Sequence, residues 1–290
     1  MMKSNITTTR VLDREGHIVQ QYVSLFQEFN RRGRMTNEII YNAAGEVENK
    51  SLFTYNEEGR LLEQVIFEQD DRLVERVDHF FDESGQLVQT ELTVADGSKT
   101  IKEYQYDPVE KIERAVVNSM HGEIEGYEIF WYGGENEVIA EIKSDVNSRV
   151  EYKRFATYDG AGNLIMEEIF GRDEAFQKRT NFTYLPGGLL AKIVTQDQHG
   201  RDTLVEKIAY DEQSLPIKTT VNNKVQGCIT KTCRMYNAER QCTTEKVYLN
   251  DRLVFKRTIK YDSRNSVVEE ECMNVAEKRH EIRKHVIEYW

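Results

Sequence analysis

The chain has 290 residues, a formal net charge of −11 and an isoelectric point near 5.2. That balance argues against a general phosphate-binding role, because nucleic-acid affinity rests on Lys and Arg neutralising phosphates. Charged residues make up 31% and hydrophobic ones 39%, too poor in apolar residues for a compact two-layer globule and better suited to a single sheet with both faces partly wet.

Taken in chain order, the N-terminal MMKSNITTTRVLDREG lacks the apolar core of a secretory signal. No later stretch reaches the ~20 apolar residues that a membrane-spanning helix needs. The expectation is a cytoplasmic protein without membrane or nucleic-acid partners, with non-classical export left open. Residues 1–28 read as an N-terminal capping hairpin.

A repeat then begins. An aromatic residue recurs at Phe29, Tyr55, Phe81, Tyr106, Tyr132, Tyr158, Tyr184, Tyr210, Tyr236 and Tyr261, at intervals of 26 residues except two of 25. Asp or Asn follows it everywhere except at Gly133 and Leu185. Glycine stands four residues after the aromatic at Gly33, Gly59, Gly85, Gly162 and Gly188. An apolar column lies two further on: Met35, Leu61, Leu87, Ile112, Val138, Leu164, Leu190, Cys242 and Val267, broken by Pro216. This is turn chemistry: Asp or Asn bonds its own downstream backbone, and Gly supplies the positive φ that bulkier residues resist. A second turn lies about midway, as at Asp70-Asp71, Asp96-Gly97, His121-Gly122, His199-Gly200 and Asn250-Asp251.

Between turns, apolar residues alternate, as in Phe53/Tyr55, Phe130/Tyr132, Phe182/Tyr184 and Ile259/Tyr261. Residues i and i+2 share a strand face, so this spacing reads as strand. Each repeat is then two strands and two turns. Residues 29–274 form an array, and 275–290 a C-terminal cap, either a strand or a short helix. The expected fold is all-β: a single-layer antiparallel meander of about twenty strands from 26-residue repeats, curved into an arc, open shell or spiral.

Chemistry is sparse. No phosphate loop, dinucleotide fingerprint, HExxH or nucleophile elbow is present, and no cofactor or metal is expected. Cys228, Cys233, Cys242 and Cys272 lack disulfide or CxxC spacing and read as free thiols. His121 and His199 fall in equivalent second turns. His280 and His285, with Cys272 nearby, are the one loose grouping for an unrecognised enzymatic site. The most distinctive segment is Tyr127–Gly134, with Phe130, Trp131 and Tyr132 as candidate binding residues. Alternation puts Phe130 and Tyr132 on one face and Trp131 on the other, and Trp is enriched in binding hot spots.

The Tyr-Asp-x-x-Gly-x-Leu core, clearest at Tyr55–Leu61, Phe81–Leu87 and Tyr158–Leu164, resembles the YD repeat of the bacterial Rhs family across roughly residues 29–267. The resemblance implies antiparallel sheets that spiral into a shell, and a bias towards toxin, secretion or defence systems. The chain departs from the family in having no separable C-terminal toxin segment. Asp107-Pro108-Val109-Glu110 begins like the family's self-cleavage site but lacks its Gly-Leu, so self-cleavage is not carried over.

The leading functional expectation is a non-catalytic protein-binding scaffold: chaperone, adaptor or shell subunit. Its partner would be a toxin, secretion or assembly component, and self-association through open sheet edges is allowed. A carbohydrate-binding module using aromatic rows and an enzyme with an unrecognised site stand as alternatives.

Overall fold

The computed structural model describes residues 1–109, 111–134 and 137–290, and of residue 112 the backbone alone. Glu110 of the Asp107–Glu110 turn and the side chain of Ile112 in the apolar column therefore lie outside the described residues. Twenty-two strands are found among the described residues. In chain order these are β1 (Met2–Leu12), β2 (Ile18–Phe29), β3 (Met35–Tyr41), β4 (Val47–Tyr55), β5 (Leu61–Glu68), β6 (Arg72–Phe81), β7 (Leu87–Val94), β8 (Lys99–Asp107), β9 (Ile112–Ser119), β10 (Ile124–Tyr132) and β11 (Val138–Asp145). There follow β12 (Val150–Tyr158), β13 (Leu164–Phe170), β14 (Phe176–Tyr184), β15 (Leu190–Asp197), β16 (Asp202–Tyr210), β17 (Pro216–Asn223), β18 (Cys228–Tyr236), β19 (Cys242–Leu249), β20 (Arg252–Tyr261), β21 (Val267–Asn274) and β22 (Arg279–Tyr289).

Each strand pairs antiparallel with its sequence neighbours, and β1 pairs with both β2 and β22. The sheet is a closed up-and-down barrel. This corrects the expected arc, open shell or spiral: the all-β meander holds, the open edges do not. Closure gives the backbone groups of both terminal strands ladder partners that an open sheet would leave unpaired. It also removes the edges on which edge-to-edge self-association relied. The curvature has a local source. The ladder shifts register at the anchors of most repeats, for example between Thr54 and Tyr55, Thr157 and Tyr158, and Thr183 and Tyr184. Such bulges increase local twist, and the increment recurs every second strand.

The wall is one layer thick. Apart from two single helical turns at Gln69–Asp71 and Arg172–Glu174, strands make substantial contacts only with their ladder neighbours. The accessible surface is 17752 Å², against about 13,000 Å² for a compact monomer of this mass. The excess means that both faces are accessible and the barrel is hollow. Strands spaced ~4.8 Å apart and tilted ~40° give a ring roughly 45 Å across. Buried apolar residues among those described are few: Ala115, Ala140, Ala156, Ile259 and Cys272. Stability is therefore lateral, made in rows across strands. On β4, β6 and β12 the face bearing the aromatic anchors is the more sheltered one: Ser51, Phe53, Val77, His79, Arg154 and Ala156 are buried or half-buried, while Thr54, Phe80, Phe155 and Thr157 are exposed.

Candidate functional site

Every anchor ends an even-numbered strand, or in Tyr106 lies one residue before its end, and a tight turn follows. In the Asn56 turn the Asn56 N–H donates to the Arg60 carbonyl, the Gly59 N–H donates to the Asn56 carbonyl, and Asn56 Oδ1 accepts from the Arg60 N–H at 2.8 Å. Asp82, Asp159, Asp211, Asn237 and Asp262 repeat the pattern. Gly133 and Leu185, which lack the side-chain acceptor, keep the backbone bonds to Glu137 and Leu189. Gly59 has φ +85, and a Cβ there would collide with the Arg34 guanidinium, which lies over the Tyr55 ring. Where the repeat lacks glycine, Ser214, Arg240 and Asn265 take the positive φ themselves, at 64°, 65° and 65°.

The hydroxyl explains why the anchors are mostly Tyr and not Phe. Tyr55, Tyr158, Tyr184, Tyr210, Tyr236 and Tyr261 donate to the carbonyls of Met35, Val138, Leu164, Leu190, Pro216 and Cys242, at 2.8–3.2 Å. Each acceptor stands six residues after the anchor of the preceding repeat, in the apolar column or, at Pro216, in its place, so each anchor staples one repeat to the one before. Sequence reasoning found both columns but not the bond between them. Tyr289 ends β22 with side-chain partners instead, donating to Asp262 Oδ2 at 3.0 Å with Ser266 Oγ at 2.8 Å from the same hydroxyl. It stands 28 residues after Tyr261, which hides it from a strict count of period.

Among the candidate binding residues, Phe130 and Tyr132 lie on the anchor face and Trp131 on the opposite one. Phe130 stands across from Glu113 and Glu141, and Trp131 across from Ala140. All three are half-buried. Tyr132 donates to Glu113 at 3.0 Å. Burial, then the Glu113 carboxylate, push its hydroxyl pKa up to about 12. On the Trp131 face an aromatic row continues through Phe155, Phe170 and Phe176, with ring centres 6.0 and 5.4 Å apart.

The loose grouping of Cys272, His280 and His285 does not converge. His280 bonds Glu271 at 2.8 Å on the face opposite the anchors. Cys272 and His285 sit on the anchor face, where burial pushes the Cys272 thiol pKa up. His121 and His199 occupy turns six strands apart on one rim.

The densest polar cluster was not legible in sequence. It spans the seam where β22 meets β1. Glu270 and Glu281 are buried, at 8% and 4% exposure. Arg257 bonds Glu270, Arg279 and Arg283 bond Glu281, and a cavity of about 350 Å³ lies over them. His285 Nε2 faces Glu270 at 3.9 Å, and its Nδ1 meets Thr7 Oγ1 at 3.0 Å. A lateral chain thus runs from β20 to β1. Burial lowers the His285 pKa. The cluster sets three arginines against two carboxylates, and its hydroxyls are sheltered: Thr7 is 3% exposed. It is built to hold strands in register.

No family model matches the chain, and no curated protein does. Among solved structures, a porin-like protein from Bacteroides uniformis aligns over 98% of this chain and 96% of its own, with 8% identity and a TM-score of 0.34. The Photorhabdus luminescens Tc holotoxin pore aligns over 91% of this chain and 20% of its own, with 10% identity and a TM-score of 0.24. A porin-like protein from Bacteroides vulgatus aligns over 98% and 99%, with 9% identity and a TM-score of 0.21.

Proposed function

We propose that the chain is a non-catalytic protein-binding scaffold of the bacterial cytoplasm, the wall of an assembly linked to a toxin, secretion or defence system. The observation that carries this reading is the hollow, single-layer ring. A repeat wall spreads equivalent side chains evenly around itself, whereas catalysis needs groups converging on one reacting atom. The Rhs-like turn motif supplies the toxin, secretion or defence context. Charge pairs on both faces support a protein partner over a bilayer: Arg154–Glu167 and Arg234–Glu245 on the anchor face, Arg179–Glu168 and Lys260–Glu269 on the other. A lipid-exposed barrel needs an apolar band ~25 Å tall on its outer side.

Affinity purification of the tagged chain from its native host, with mass spectrometry of the eluate, tests the reading. A stoichiometric protein partner is the expected result. A preparation that repeatedly elutes alone overturns it.

A further inference from the structure

The two rims of the barrel are made of turns, and the anchor rim is electrically divided. Five consecutive stations centre on the seam: turns 237–241 and 262–266, the chain ends, and turns 30–34 and 56–60. Together they carry seven Lys and Arg (Lys3, Arg31, Arg32, Arg34, Arg60, Arg240 and Arg264) against five Asp and Glu, of which Glu288 pairs with Lys3 at 3.4 Å. Among the described residues, the other six turns of this rim carry seven Asp and Glu against Lys111 alone. In a chain of net charge −11, a basic arc in this one place is a local feature of the rim.

Many arginines of the strands are spent in ion pairs, as at Arg154, Arg234, Arg257 and Arg283. Four arginines of the arc are held by rings, while Arg240 donates to the Gln213 carbonyl. Arg34 lies over Tyr55, Arg60 over Phe81, Arg264 over Tyr289 at 4.2 Å, and Arg31 over Trp290 at 5.4 Å. An aromatic face positions a cation while leaving its charge uncompensated. Arg31, Arg32 and Arg34 are exposed, and Trp290 is 54% exposed. At one end of the arc, between turns 30–34 and 56–60, a groove of about 400 Å³ has Phe53, Tyr55, Arg31 and Arg32 among its lining.

From this arrangement we infer that the basic arc is a docking surface for an extended acidic segment of a protein partner, with carboxylates on the arginines and an apolar side chain in the Phe53–Tyr55 groove. Charge complementarity selects the sign. A protein segment fits better than a nucleic acid, because Glu57, Glu58 and Glu239 interrupt the arc and the acidic remainder of the rim repels a long polyanion. The inference rests on the scaffold reading and adds where and by what chemistry the partner is gripped.

The test is fluorescence anisotropy of a short labelled peptide alternating glutamate with glycine and phenylalanine. Saturable binding is expected, weakened about tenfold by the double reversal Arg31→Glu/Arg32→Glu and weakened further by salt. Arg14→Glu/Arg149→Glu on the opposite rim leaves it unchanged, and a lysine-for-glutamate peptide does not bind. Arg240→Glu, at the far end of the arc, is the independent check and weakens binding a few-fold. Equal losses from both rims, or no saturable binding, overturn the inference. Tighter binding of a short DNA duplex than of the peptide also overturns it and assigns the arc to nucleic acid. A native partner that still co-purifies with the Arg31→Glu/Arg32→Glu variant leaves the scaffold reading standing and refutes this one.

Discussion

The run from β12 to β19 and the seam from β20 through β22 to β1 are built from the same strands by different means. Within the run, sequence neighbours are tied by tight turns, and Tyr184, Tyr210 and Tyr236 staple each repeat to the last. Across β22 and β1 there is no turn. The ladder from Met2↔Tyr289 to Leu12↔His280 joins the two ends of the chain, and the Trp290 N–H donates to the Met1 carbonyl at 3.0 Å. The side chains differ accordingly. The anchor face of the run sets Phe182 against Ile193 and Leu204 against Thr195; the seam sets Thr7 against His285 and Thr9 against Arg283. A one-residue slip would put every side chain on the wrong face. Where no turn fixes register, the buried hydrogen-bonded groups do so.

That contrast sets the order of expected effects. Glu270→Ala leaves Arg257 and His285 facing an emptied site. It should cost about 2 kcal/mol in urea unfolding, reduced from the fully buried case because Arg257 is partly exposed. Glu168→Ala, which breaks an Arg179 pair within the run, should cost under about 1 kcal/mol. Equal costs would erase the distinction.

The staple is probed by Tyr184→Phe, expected to lose about 1 kcal/mol, and by Phe81→Tyr, expected to gain up to about as much by reaching the Leu61 carbonyl. A neutral Tyr184→Phe would show that the hydroxyl only fills space. Turn backbones give a signed pair. Ser214→Gly relieves a left-handed residue and should stabilise by roughly 0.5–1 kcal/mol. Gly59→Ala should destabilise by at least as much, since strain and the Arg34 contact add.

The smallest effect is in pH. Burial lowers the folded His285 pKa below its ordinary 6.5, so the unfolded chain binds the proton first. Stability from His285 is full above pH 6.5 and is lost as pH falls through the folded value. Burial lowers the His79 pKa too and adds a loss of the same sign. The readout is therefore the difference between wild type and His285→Gln, whose midpoint should fall less on acidification. Hydrogen exchange that rises first in β1 and β22 would place the loss at the seam.

Much of the wall was legible in the sequence. Anchors, Asx turns and glycines are local chemistry, repeated often enough to set strand ends within a residue or two. Alternation likewise put Trp131 opposite Phe130 and Tyr132. The Tyr-to-carbonyl staple escaped because a carbonyl acceptor has no residue signature. Glu270 sits in a column nine residues after the anchors that also holds Glu38, Glu141, Glu167 and Glu245, but its link through His285 to Thr7 escaped because those two residues lie at opposite ends of the chain.

The sequence by itself determined strands, turns, their antiparallel order and which side chains share a face, because each follows from interactions within one repeat or between adjacent ones. Closure was decided only in three dimensions. It depends on twist accumulated over twenty-two strands, and on a pairing of β1 with β22 that neither strand announces. An arc and a ring use the same repeat; they differ in whether the last strand arrives where the first one stands.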